Sequence, residues 1–356
     1  MATRFVVRSL GGLAALLLAA AAINIHVDPF QQYRAPSYEP RFYRSFQRYE
    51  NPGIARHYDY DRAIVASSFF ENISGSEVDR AFGGGKTMNL CESAMSAYDA
   101  RKLLETAFDR GNVREVLYGM DYSAFAGGVE RPGSGDALPL YMYDAAHWND
   151  YPYVLSLLTL RKSLDILAHR SEEGYRTDRD KPWYWADGVT FSARSVVEGI
   201  DPYNINLRYQ QPQRSLEGMM ASFEANLVPL VRDHPHTQFI LAWPPYSVIA
   251  WLDFVQRNQV GVSLEFKKRV VLEMARYPNV RIYDFQDRAD WIDDLDQYRD
   301  IYHFSPAISS ALVKEIAADH GRLTPQNVDA RNAQMARIAA SADLARIMAE
   351  ARAKPK

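Results

Sequence analysis

Two short stretches hold the residues best suited to covalent chemistry. In "DRAIVASSFFENIS", residues 61–74, an apolar run from Ala63 to Ala66 ends on Ser67 and Ser68. In "DIYHFSP", residues 300–306, Asp300 precedes His303 by three positions, so one turn can point both the same way. A serine hydroxyl attacks a carbonyl at neutral pH only beside a base, and an imidazole is that base when a carboxylate holds its tautomer. The three residue types together therefore point to acyl transfer. The competing role for Ser67 or Ser68 is a helix cap, which serines after strands often supply. A second D-x-x-H pair, Asp144 and His147 in "YDAAHW", offers the same chemistry, but no strand end precedes it.

The elements that must position these residues follow from the hydrophobic pattern. "AIVAS", "KTMNLCES", "REVLYGMDYSAF", "TQFILAWPPYS" and "VRIYDF" read as strands. Between them "SEVDRAF", "SAYDARKLLETAFDRG", residues 214–232 and residues 248–276 read as helices. "SPAISSALVKEIAADHG" is a last helix, with Ser305 at its N-cap and Pro306 at its first position. Strands alternating with helices predict an α/β fold with a parallel sheet between two helical layers. Residues 127–212 break the alternation and read as a mostly helical insertion in a domain spanning 61–323. A lead-in segment, 28–60, precedes that domain, and an Ala- and Arg-rich helical tail, 324–356, follows it. Ligands of open α/β sheets gather beyond the carboxyl ends of the strands. Ser67 and Ser68, Asn89 to Ser96, Gly119 to Tyr122, Trp243 to Ser247, and the Asp300–His303 loop all fall there.

The N-terminus carries Arg4 and Arg8, then 17 uncharged residues from Ser9 to Ile25. At ~1.5 Å per residue the run measures ~25 Å, close to the ~30 Å hydrocarbon core of a bilayer. Residues 1–27 are read as an uncleaved signal anchor rather than a cleaved signal peptide, because the apolar run continues past Ala19–Ala22 through Ile23 and Ile25. Basic residues ahead of the span put the remainder of the chain on the extracytoplasmic side of the inner membrane. A net charge of −3 over 356 residues gives no reason to expect a nucleic-acid partner. The single cysteine, Cys91, excludes an intrachain disulfide and reads as a small core residue.

Strand–"ASS"–helix, strand–"NLCESAMS"–helix and the late "DIYH" together resemble the SGNH, or GDSL-type, hydrolase superfamily. "ASSFFENI" is similar to the "G-T-S-M-T-E-N-F" segment of its membrane-anchored bacterial branch, and the arrangement resembles DltD-like proteins that work beside membrane-bound O-acyltransferases. The resemblance covers residues of the α/β framework and neither the insertion nor the tail. It implies a flavodoxin-like three-layer sheet with Ser68 as nucleophile, His303 as base and Asp300 orienting the imidazole. The backbone N–H of Ser68 and that of Ala94, which stands at the family's glycine, would form the oxyanion hole. The third block departs: Asp121 occupies the position of the family's oxyanion-hole asparagine, and an ionised carboxylate donates no hydrogen bond. Asn72, four residues after Ser68, is the substitute donor. A slow transferase, a hole completed by another residue, and a site that binds without reacting all remain open.

Asn89 and Asp121 are further expected substrate contacts, and Trp243 and Tyr246 in "WPPYS" an aromatic wall for a sugar; "KPWYWADG" is a similar aromatic stretch. "GGGKT" at 83–87 is not a phosphate loop, since Arg80 stands where its first glycine belongs and a strand follows it. No metal site or cofactor is expected. The expected function is a membrane-anchored extracytoplasmic serine esterase or O-acyltransferase acting on an acylated envelope or exported polysaccharide, partnered by a membrane-bound O-acyltransferase. The alternative is a non-catalytic glycan-binding or scaffolding accessory of a polysaccharide synthesis complex.

Overall fold

Serine side chains set the starts of seven helices among the described residues. Ser74, Ser96, Ser156, Ser192, Ser215, Ser247 and Ser305 each accept the backbone N–H three residues on, so a donor orphaned by the helix end is satisfied. At Ser96 the bond is reciprocated by Asp99, closing a capping box. The computed structural model describes residues 2–170, 175–205 and 214–354.

Seven strands are present among the described residues: β1 (Phe42–Tyr43), β2 (Arg62–Val65), β3 (Thr87–Asn89), β4 (Glu115–Gly119), β5 (Tyr175–Arg176), β6 (Gln238–Trp243) and β7 (Val280–Asp284). β2, β3, β4, β6 and β7 form one parallel sheet in the order β3-β2-β4-β6-β7. Helices cover both faces, which is why β2 is buried at every position and reads as a continuous rather than alternating run. The order reverses at β2: the chain steps out to β3 and then returns past β2 to β4. The crevice at such a reversal, beyond the carboxyl ends of β2 and β4, is where α/β sheets bind ligands.

All five expected sheet strands are present, with shorter bounds. The stretch read as one strand over 114–125 ends at Gly119, because Asp121 caps a short helix, Tyr122–Phe125, by accepting the Ser123 N–H at 2.9 Å. Gly119 itself leaves no room for a side chain: a Cβ there would lie 2.5 Å from the Cβ of Ala66. The insertion contains the helix Leu157–Leu167 and β5, which pairs antiparallel with β1 from the lead-in segment. Its expected end at 212 lies outside the described residues. The tail forms two helices, Val328–Ser341 and Leu344–Ala353, whose Met335 and Met348 are buried.

The N-terminal helix α1 (Ala2–Val27) is long and apolar enough to cross a membrane and is exposed as far as Ala19. Its last turns are fixed to the domain. Asn24 is fully buried and donates to the Val154 carbonyl at 2.8 Å, while Ser163 donates to its side-chain oxygen at 3.1 Å. Asp28, with φ of 52°, turns the chain and its carboxylate accepts the N–H groups of Gln32 and Tyr33, both at 2.8 Å, and the Tyr153 hydroxyl at 2.7 Å.

Candidate active site

The two stretches that opened the analysis meet, although 235 positions separate them. Ser68 follows β2 at the head of a short 3-10 turn, Ser68–Phe70, and its Oγ lies 2.7 Å from His303 Nε2. His303 Nδ1 lies 2.8 Å from Asp300 Oδ2. The carboxylate also accepts the backbone N–H groups of Tyr302 and His303, both at 2.9 Å, which fix its orientation within the turn. Burial works against ionisation of Asp300, but the bond to the His303 ring and these N–H donors outweigh it and hold the carboxyl well below its ordinary range.

Ser67 faces elsewhere. Its Oγ reaches Asp121 Oδ2 at 3.4 Å and makes no capping bond. The neighbouring serines therefore have separate surroundings, and Ser68 is the one beside the imidazole. The second D-x-x-H does not form a pair. His147 Nδ1 approaches Asp150 at 3.2 Å, while Asp144 binds the N–H of Ala146 and the amide of Asn149.

The imidazole is packed between two aromatic rings. Phe69 stacks on one side, with centroids 5.6 Å apart and planes at 24°, and Trp185 meets it edge-on at 5.5 Å. Trp185 also ties down the nucleophile turn: its indole N–H donates to the Ser68 carbonyl at 3.1 Å, and its backbone N–H to Asn72 Oδ1 at 3.0 Å. Arg299 lies over the outer face of Trp185 at 4.5 Å and donates to Asp300 at 3.2 Å.

The groups expected to serve as oxyanion donors have no internal partners among the described residues. No hydrogen bond among the described residues takes the N–H of Ser68 or of Ala94. Asn72 is buried with its side-chain oxygen bonded to Trp185 and its Nδ2 without a hydrogen-bond partner among the described residues. Asp121 donates nothing. Its Oδ1 accepts the Ser123 N–H and the Tyr246 hydroxyl, both at 2.9 Å, and its Oδ2 the Ser67 hydroxyl at 3.4 Å, so Asp121 is an acceptor hub beside Ser67.

Ala94 holds a left-handed φ of 58°, a conformation that costs a residue with a Cβ ~1–2 kcal/mol. The helix Gln47–His57 from the lead-in segment holds the loop in it. Gln47 accepts the Ser93 N–H at 2.9 Å and Asn51 donates to the Cys91 carbonyl at 3.1 Å. Arg48 binds Glu92 at 2.5 Å and Asp99 at 3.1 Å, and Glu71 accepts from both Gln47 and the Ser93 hydroxyl. From the other side Gly133 donates to Asp99 at 2.7 Å, packed so tightly that a Cβ there would lie 2.0 Å from the Ala94 carbonyl oxygen.

Several expected contacts have other roles. Asn89 is buried and its amide is consumed inside the protein, donating to Phe70 and Ile73 carbonyls and accepting from Cys91 N, so it shapes the loop and offers nothing to a substrate. Trp243 is fully buried against Tyr122, with centroids at 4.7 Å, because strand alternation turns it into the helical layer; no sugar can stack on it. Tyr246 is buried too, braced against Phe69 and bonded to Asp121. Trp183 and Trp185 of "KPWYWADG" face inward, Trp183 donating to the Asn89 carbonyl at 3.0 Å. Cys91 is fully buried, and burial pushes its thiol well up.

The supports in Gln47, Arg48, Gly133 and Trp185 escaped sequence reading, since no spacing relates them to Ser68. The W-x-W of the insertion was the one local signal, and it pointed to sugar stacking instead. No protein-family model matches the chain, and comparison with curated proteins finds no significant relative.

Proposed function

We propose that the protein is a membrane-anchored serine esterase or O-acyltransferase of the SGNH-hydrolase type, acting from the extracytoplasmic side on an ester-linked acyl group of an envelope or exported polysaccharide. One observation carries the reading: the continuous line from Ser68 Oγ through both ring nitrogens of His303 to Asp300, with steps of 2.7 and 2.8 Å. The sheet order, with its second strand outermost and its reversal at β2, is the flavodoxin-like order expected of that superfamily and supports the same reading.

In this reading His303 removes the Ser68 proton as Oγ bonds to the ester carbonyl carbon. The carbonyl oxygen takes the negative charge among the N–H groups of Ser68 and Ala94 and the Asn72 amide. His303 returns the proton to the departing alkoxide, which leaves as an alcohol, and Asp300 stabilises the imidazolium between the two transfers. Water or a glycan hydroxyl then gives up its proton to His303, attacks the acyl-serine and restores the enzyme. A membrane-bound O-acyltransferase is the proposed source of the acyl group. Asp121 favours the accessory reading as the second possibility, because it removes a donor that normally contributes ~10²–10³ in rate.

The test is active-site labelling. A fluorophosphonate should modify the wild type and Ser67→Ala but not Ser68→Ala. Labelling that survives in Ser68→Ala and vanishes in Ser67→Ala would shift the nucleophile by one residue. A folded wild type that takes no label would leave the accessory reading.

A further inference from the structure

The helix Leu157–Leu167 buries an unusual number of polar residues and leaves three leucines outward. Thr159, Lys162, Ser163 and Asp165 are buried against the domain along with Ile166, and Leu158 is half-buried there, whereas Leu157, Leu164 and Leu167 point outward, Leu157 with 81% of its surface exposed. A surface helix of a domain in water shows the opposite arrangement, with its apolar stripe inward. The inward polar residues have partners. Ser163 donates to Asn24 of α1, and the Lys162 ammonium sits over the Tyr43 ring at 4.2 Å. The three leucines are left exposed, Leu164 and Leu167 by about half, and large unshielded apolar patches mark interaction sites.

The length of α1 indicates what covers them. A hydrocarbon core of ~30 Å takes ~20 helical residues. α1 stands clear of the domain only through Ala19. Counted from Ser9, after the second arginine, the free part measures ~16 Å; counted from Phe5, with Arg8 reaching back toward the headgroups, it measures ~22 Å. Either way the free helix is too short, and the rest of the span falls in the turns around Asn24, which are packed against the 157–167 helix. That helix then lies at the depth where α1 leaves the bilayer. Arg161 and Arg170 extend from the same stretch with largely exposed side chains, each within 4.0 Å of the Asp165 carboxylate at 3.9 and 3.7 Å, so the cationic groups flank the leucines at that level.

Resting on the anchor reading above, we propose that the outward leucine face of the 157–167 helix is a lipid-contact surface, seated in the boundary between headgroups and acyl chains of the membrane that α1 crosses.

The test uses the full chain in vesicles of phosphatidylethanolamine and phosphatidylglycerol, with single cysteines at Leu157, Leu164, Leu16 or Leu272 carrying an environment-sensitive nitrobenzoxadiazole probe. Cys91 is buried and stays unlabelled. The probes at Leu157 and Leu164 are expected to shift to the blue, to be quenched by doxyl-labelled lipid and to lose quenching by iodide, as the anchor probe at Leu16 does. The probe at Leu272, on the 260–274 helix, should behave in the opposite way. Iodide access at Leu157 and Leu164 while Leu16 is lipid-quenched would overturn the contact and leave the anchor standing. Shielding from both quenchers would assign the face to a second copy of the chain, which also overturns it. An aqueous Leu16 would remove the anchor and the lipid contact together.

Discussion

Asp300 and Ala94 are the residues at which the site makes its sharpest demands. Because the Asp300 carboxyl is held below its usual range, the stabilisation from its ionised form is fully present above the ordinary carboxylate range and fades only as the pH falls well below it. Any acid loss of activity above pH ~5 therefore comes from another group. Asp300→Asn should reduce kcat by ~10⁴, since the amide no longer fixes the imidazole tautomer. Thermal melting should show the variant less stable than the wild type at neutral pH, with the gap holding down to pH ~4 and narrowing only below it. A gap that widens on acidification would contradict this account of Asp300. Ala94 makes the opposite prediction. At a φ of 58°, Ala94→Gly should leave the rate intact and stabilise the fold by ~1 kcal/mol, as read from denaturant midpoints. A destabilised variant would show that the methyl group has packing value beyond its strained backbone.

At the scale of elements, the clamp on the 89–96 loop decides whether Ala94 N–H is available. Gly133→Ala forces a Cβ against the Ala94 carbonyl oxygen, so the loop must shift. Kinetics should show kcat reduced by ~10²–10³ with KM little changed, the pattern of a group that acts only in the transition state. An unaffected kcat would remove Ala94 from the proposed oxyanion hole. This clamp also shows what was legible in the sequence. The strand cores, the Ser305 cap and the Ser68–His303–Asp300 set carry local signatures: an apolar run that stops, a serine before a proline-led helix, a fixed D-x-x-H spacing. Trp243 was misread because its position at a strand end was clear but its face was not, and the sheet is covered on both sides. Gln47, Arg48 and Gly133 left no signature, since each acts through a contact between segments that only the folded chain brings together. The insertion was legible as a break in the alternation, but not as the source of Trp185, which steadies the nucleophile turn.

The whole molecule joins an apolar helix to an α/β domain, and the first question at this scale is on which side that domain lies. A reporter active only outside the cytoplasm should work when fused after Lys356, and the mature protein should retain its original N-terminus by mass. A shortened, soluble product would replace the anchor with a cleaved leader; an inactive outside-only reporter paired with an active cytoplasmic one would reverse the orientation. The joint between helix and domain has a consequence of its own. With Asn24 buried and Asp28 gathering Gln32, Tyr33 and Tyr153 onto one carboxylate, there is no slack at residues 24–33 and the domain does not hang on a tether. A proposed enzyme mounted this way cannot lean out to search for its polymer. Ser68 would sweep a plane at one altitude as the protein diffuses, so under the proposed function a glycan strand would have to be fed past at that altitude, and stiffness at one aspartate would act as a geometric filter on the strands reached.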